Sequence, residues 1–202
     1  FDPATYWIKP EWTLASYEAL FETGRAPVLF RTVGLAALTA ALATLLAVPA
    51  AMMIGLMSGP RRAALLLALF TIPFFTSALI RAFAWRLVLG RTGIINQLLL
   101  SLGIVDSPVE WLLFSDFAVV LGMVAAYLPF AVVPIVLVFA RIEPSVIRAS
   151  QDLGAGFWTT FRRIILPLVM PGIAAGFLFV FVVAIGTSTE VQLLGGAGDS
   201  SI

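Results

Sequence analysis

The sequence comprises 202 residues, 61% hydrophobic and 11% charged, with a formal net charge of +1 and a mean hydropathy of +1.06. A soluble domain is normally about a quarter charged, so an ordinary soluble globular fold is excluded, and the near-neutral balance supplies no field for nucleic acid. Cys and His are both absent, which removes disulfides, thiolate metal sites and the imidazole that most often serves as base or metal ligand; no metal site is expected.

The charges leave four long uncharged runs: Thr32 to Pro60 (29 residues), Ala63 to Ile80 (18), Phe117 to Ala140 (24) and Ile164 to Thr189 (26). A helix crossing about 30 Å of hydrocarbon needs roughly 20 predominantly apolar residues. Inside lipid the backbone must satisfy its own hydrogen bonds, which a helix does. The short alternating segments of a β-barrel are missing. The fold class expected is therefore an all-α membrane protein, a polytopic helical bundle forming one transmembrane domain over residues 1–202.

In chain order, residues 1–27 place Tyr6, Trp7, Trp12 and Tyr17 among Pro, Glu and Lys, the composition of an interfacial, external segment; Thr13 or Ser16 would cap a short helix there. The first span is expected near 28–57 and closes in Ser58-Gly59-Pro60-Arg61-Arg62, a tight cationic turn. The second, near 63–84, runs into Arg81, Trp85 and Arg86. Residues 87–116 form a second external segment, in which the uncharged stretch Thr92 to Val105 is too short to span and predicts an interfacial or re-entrant helix. A third span near 117–140, a polar connection at 141–167 and a fourth span near 168–190 complete the order. Pro49, Pro73, Pro129, Pro134, Pro167 and Pro171 predict bent helices. The small residues Gly34, Ala36, Ala37, Ala40, Ala41, Gly172, Ala174, Ala175 and Gly176 allow close helix contacts. The chain opens without Met and closes in Gly195-Gly196-Ala197-Gly198-Asp199-Ser200; it is expected to be a fragment lacking terminal spans.

Lys and Arg divide six against six between the two sides of the membrane when the four spans alternate, so the positive-inside tendency does not orient the bundle by itself.

The connection after the third span has the strongest internal design. Pro144 suits the first turn of a helix, where its missing N–H is not needed. Ser145 to Leu153 then supplies about two turns, and Gly154 suits the left-handed position that ends a helix. A second helix follows with Phe157, Phe161, Ile164 and Leu168 on one face, Arg162 and Arg163 off it, and Pro167 at re-entry into the membrane. So structured a loop reads either as a folded connection or as a docking element for another protein.

Residues 143–172 resemble the cytoplasmic EAA loop of the permease subunits of binding-protein-dependent ABC importers. The family pattern is Glu-Ala-Ala, three residues, Gly, nine residues, Ile, one residue, Leu-Pro. Ala149, Gly154, Ile164, Leu166 and Pro167 match it, Ser150 replaces the second Ala, and Arg148 stands in place of Glu. Ile72 to Trp85, Leu89 to Asn96 and Leu193 to Gly196 are similar to the spermidine/putrescine branch, so the likeness covers roughly 28–197.

The resemblance implies a type I ABC importer permease in the bacterial inner membrane, with 141–167 cytoplasmic and 1–27 and 87–116 facing an extracytoplasmic substrate-binding protein. It also implies further spans before Phe1 and after Ile202, a second permease subunit, and cytoplasmic ATPase subunits that carry ATP and Mg. Pro144, Arg148, Ala149, Ser150, Asp152, Gly154, Ile164, Leu166 and Pro167 would form the ATPase-coupling element. Glu190, Thr189, Gln192 and Tyr127 are the candidates for the substrate pathway, a carboxylate at the outer end of the fourth span being suited to a cationic solute.

The chain has no Gly-x-x-x-x-Gly-Lys-Ser/Thr phosphate loop and its only lysine is Lys9; it is therefore expected not to be an enzyme, to bind no cofactor itself, and to have lipid and protein partners but no nucleic acid. The alternative is a secondary transporter driven by an ion gradient, which predicts buried acids or discontinuous helices within the membrane. An intramembrane enzyme would need a nucleophile and base inside the spans, and the four runs contain no charge.

Overall fold

The computed structural model describes residues 26–56, 59–187 and 189–195; the expected interfacial segment before Arg25 and its caps lie outside this range. Every regular element among the described residues is helical. Three helices are long and apolar enough to cross a membrane, Pro27–Leu56, Glu110–Phe139 and Phe157–Ile185.

Helix α1, Ala26–Leu56, is a 31-residue Ala/Leu-rich segment, roughly 46 Å long at 1.5 Å per residue, interrupted only by Pro49, which removes the donor to the Leu45 carbonyl. Its packed face is a line of small side chains, Ala36, Ala40, Ala43, Ala47 and Ala51, closed by Ile54, all at most 2% exposed. Steps of three and four residues put them on one stripe. That stripe lies against α5 (Asp116–Phe139) and α8 (Leu166–Ile185), which also pack on each other. Helix α5 is the central member: 67% of its apolar window is buried, against 39% for α1 and 28% for the helix ending in α8.

Close approach depends on missing side chains. A Cβ on Gly176 of α8 would stand 3.0 Å from the Ala131 carbonyl oxygen, and one on Gly172 would stand 3.0 Å from that of Pro134. Of the small residues singled out above, Ala36, Ala40, Gly172 and Gly176 lie on packed faces, whereas Gly34, Ala41 and Ala174 are exposed.

The second span departs from expectation. Residues 63–84 do not form one helix but α2 (Pro60–Thr71), a 3₁₀ turn (Ile72–Phe75) and α3 (Ala78–Leu89), bent by 89°. Pro73 lacks the N–H that would continue α2, and Thr76 and Ser77 are extended, with ψ of 136° and 137°. Each piece has 12 residues, about 18 Å, and neither crosses alone.

Together they run back along the bundle. Arg31 near the start of α1 pairs with Asp116 at the start of α5 at 2.8 Å, and a Cβ on Gly55 would meet Phe139, so α1 and α5 run parallel. The intervening chain must return to the starting end. Phe74 packs edge-on against Phe130, just past the middle of α5, while Trp85 faces Gly122 nearer the end of α5 that holds Asp116. The bent pair thus carries the chain back along the bundle, so the described residues make four passes along it.

The connection at 90–115 holds α4 (Ile94–Ser101), the short helix expected between Thr92 and Val105. It is pinned by Asn96, 0% exposed. The Asn96 amide donates to the carbonyls of Gly90 and Val109, and its Oδ1 accepts from the Val109 N–H at 2.7 Å.

The last span is displaced at both ends. The helix runs without interruption from Phe157 through α7 (Phe157–Thr160), a π turn (Phe161–Ile165) and α8, so Pro167 marks no re-entry. In the π turn the Leu166 N–H reaches back five residues to the Phe161 carbonyl. The wide turn shifts the packed stripe, which runs Thr160, Ile165, Val169, Gly172, Gly176, Val180, Ala184, with a single step of five at the π turn. The expected stripe is therefore corrected: Phe157 and Leu168 are 65% and 48% exposed. At the other end α8 stops at Ile185, and a separate short helix, α9 (Thr189–Leu194), packs back on α3 and α5.

Candidate functional site

Two places gather the residues singled out by the sequence. The first is the corner between α5 and α8. Helix α6, Pro144–Asp152, starts on Pro144 and is followed by Leu153 and then Gly154 at φ +79°. The Ala155 N–H donates to the Ser150 carbonyl at 3.0 Å and the Gly154 N–H to the Gln151 carbonyl at 2.8 Å. This is the paired bond pattern of a Schellman stop, and it needs the left-handed residue that Gly supplies without Cβ strain. Ser150 and Thr160, 5% and 3% exposed, join hydroxyl to hydroxyl across the corner. The hydroxyl that distinguishes Ser150 from the family Ala therefore has a partner. Thr160 was missed by sequence reasoning; its only signal is a polar residue placed to meet Ser150 once the chain turns at Gly154.

The corner shows Arg148, Ala149, Asp152 and Leu153 to the outside, Leu153 at 89% exposure. Pro144 and Pro167 are also exposed, while Ile164 and Leu166 are half-buried in the continuous helix. Ser150 alone of the predicted coupling residues is buried.

The second place lies inside the bundle. Tyr127, 5% exposed, sits 127 − 116 = 11 residues into α5, about 16 Å below its start. Its hydroxyl bonds the Thr187 hydroxyl, and Glu190 and Arg81 are within electrostatic reach. Glu190, 3% exposed, faces Arg81 across 3.5 Å. Arg81 in turn donates through Nη1 to the carbonyls of Thr76 at 2.8 Å and Pro73 at 3.4 Å, at the break of the second span.

The placement of Glu190 is corrected accordingly. It does not end the fourth span as an open carboxylate at the outer mouth; the chain breaks after Ile185 and Glu190 opens α9, buried and paired. Of the predicted pathway residues, Tyr127 and Glu190 are brought together and Gln192 is exposed; only the backbone of Thr189 is described. Arg81 and Thr187 complete the cluster. The signal for Arg81 was a lone cation ending one uncharged run while Glu190 ends another, two opposite charges at the ends of apolar segments.

A family model described as the binding-protein-dependent transport system inner membrane component matches residues 47–201. The chain belongs to this family. It is 35% identical over 185 residues to the spermidine/putrescine transport system permease protein PotB of Haemophilus influenzae, covering 92% of the chain and 64% of that relative. It is 35% identical over 196 residues to PotB of Escherichia coli, covering 97% and 70%. It is 31% identical over 208 residues to the E. coli inner membrane ABC transporter permease protein YdcU, covering 98% and 66%. The chain thus spans about two thirds of the length of these relatives. As a member of this inner-membrane family with several apolar helices, it is a multi-pass protein of the bacterial inner membrane. The corner at 144–167 falls within the matched region, and the family is one of transport system inner membrane components.

Proposed function

We propose that this chain is a membrane-spanning subunit of an ATP-driven importer, forming part of the path of a small solute, with polyamines as its substrate class. The observation that carries the reading is the α6–Gly154–α7 corner: a two-helix protrusion whose outer face is exposed and whose base continues without a break into α8. Partner ATPase subunits would bind ATP and Mg and seat α6 in a groove; a second permease subunit and an extracytoplasmic binding protein would complete the assembly.

The geometry supports this as a lever. Force applied to α6 passes through the Ser150–Thr160 hydroxyl bond to the head of a helix that runs to Ile185. Alternating access needs rigid units that repack at smooth faces, and the α1 alanine stripe and Gly172/Gly176 supply such faces. The polyamine assignment is supported by the relatives named for spermidine and putrescine and by a buried carboxylate, Glu190, within the bundle. The ion-gradient alternative also predicts a broken span and a buried acid, but family membership favours binding-protein-dependent transport.

The test is reconstitution of the full-length protein with its second permease, ATPase and binding protein in proteoliposomes. ATP-dependent accumulation of labelled putrescine or spermidine is expected. Accumulation of neither would sink the polyamine assignment, and failure to co-purify with the ATPase would sink the coupling role.

A further inference from the structure

Arg81 occupies a place composed of cation ligands. The Thr76 carbonyl, the Pro73 carbonyl (which also accepts the Thr76 N–H at 3.2 Å) and the Glu190 carboxylate all face it at the helix break. Carbonyls of unwound backbone and carboxylates are the groups that receive cations inside transport proteins.

Tethered to α3, the Arg81 guanidinium meets this place only in part: its contact to the Thr76 carbonyl, 2.8 Å, is of normal length and the others are long. Charge-assisted N–H···O bonds run about 2.7–2.9 Å, yet the Pro73 and Glu190 contacts are 3.4 and 3.5 Å. Arg81 Nε is buried with no acceptor among the described residues. An ion pair kept for stability in an apolar bundle needs close geometry and full satisfaction to offset its desolvation; this one has neither. The two partners also differ in freedom, since the Arg81 side chain is 18% exposed and that of Glu190 only 4%. The arginine side chain is partly open and the carboxylate is enclosed.

We propose that the Pro73 and Thr76 carbonyls and the Glu190 carboxylate form a subsite for an organic cation, a guanidinium or primary ammonium group, and that Arg81 is its tethered occupant, displaced when such a cation enters. The inference rests on the importer reading in taking the entering cation to be the transported solute. Exchange of one cation for another keeps Glu190 neutralised throughout, so no bare charge is exposed to the bundle interior during passage. Release of Arg81 also unties α9 from the break of the second span, which links site occupancy to the packing of α3.

The experiment compares wild type, Arg81→Met and Arg81→Met/Glu190→Gln in the assembled full-length transporter without binding protein. Equilibrium dialysis reads labelled putrescine, with sub-denaturing guanidinium ion as competitor. An occupant filling the site about nine tenths of the time lowers apparent affinity about tenfold; Arg81→Met is therefore expected to bind putrescine about tenfold more tightly than wild type, guanidinium to compete, and the double variant to lose the gain. Unchanged affinity in Arg81→Met, or a gain that survives Glu190→Gln, overturns the proposal. Should Arg81→Met not assemble, wild type decides: saturating putrescine or guanidinium is expected to speed amide exchange across 189–194, and unchanged exchange overturns the inference. Uptake is not read, so an importer that carries a different solute fails the reconstitution test and leaves this one independent.

Discussion

Ser150 and Thr160 share a buried hydroxyl–hydroxyl bond of 2.5 Å across the corner that Gly154 turns. Removing one partner leaves a buried hydroxyl unsatisfied, at a cost of about 1–3 kcal/mol, whereas replacing both with apolar groups is nearly neutral. Ser150→Ala and Thr160→Val are each expected to lower the melting temperature of the purified protein, and the double variant to recover most of the loss. Additive losses in that double-mutant cycle would show that the two hydroxyls act independently.

Gly154 is at φ +79° with nothing within 4 Å of a Cβ built upon it, so backbone conformation rather than space sets the cost of replacing it. A left-handed L-residue costs roughly 1 kcal/mol or more, a β-branched one most, and Asn least. Gly154→Val is expected to uncouple ATP hydrolysis from uptake while the protein still inserts, and Gly154→Asn to retain most uptake. The measurement is uptake and ATPase activity side by side in proteoliposomes; normal transport by Gly154→Val refutes the docking role.

Gly176 and Gly34 form a matched contrast. A Cβ at Gly176 meets the Ala131 backbone at 3.0 Å, whereas one at Gly34 meets nothing within 4 Å. Overpacking of this kind typically costs about 1–3 kcal/mol. Gly176→Val is expected to lower thermal stability clearly and Gly34→Ala to leave it unchanged or raised, since Ala is the better helix former. Equal melting temperatures for the two variants would contradict the α5–α8 contact.

Asn96 holds three hydrogen bonds around the 90–109 connection. Asn96→Ala strands the Val109 N–H and carbonyl, each unsatisfied group costing about 1–3 kcal/mol, while the Gly90 carbonyl keeps the Gly93 N–H at 2.8 Å. Faster amide exchange at Val109 and around α4 is expected, with α1 and α8 unaffected. Exchange unchanged at Val109 would mean that the loop is held by other contacts.

Composition and charge spacing were enough to establish a helical membrane bundle, because about 20 consecutive apolar residues admit few other solutions. The corner at Gly154 was equally legible, since Pro144 and Gly154 act through local backbone geometry. Tertiary structure alone decided the rest. Uncharged runs report hydropathy but not continuity: Pro73 predicted a bend, but that it splits the span into two short helices, and the stop at Ile185, were not legible. The π turn moved the packed face of the last span to Thr160, Ile165 and Val169, a register that no fixed 3.6-residue period predicts. The meeting of Arg81 with Glu190, 190 − 81 = 109 residues apart, depends on α9 folding back against α3. Such pairing is set by long-range packing, which local sequence periodicity does not encode.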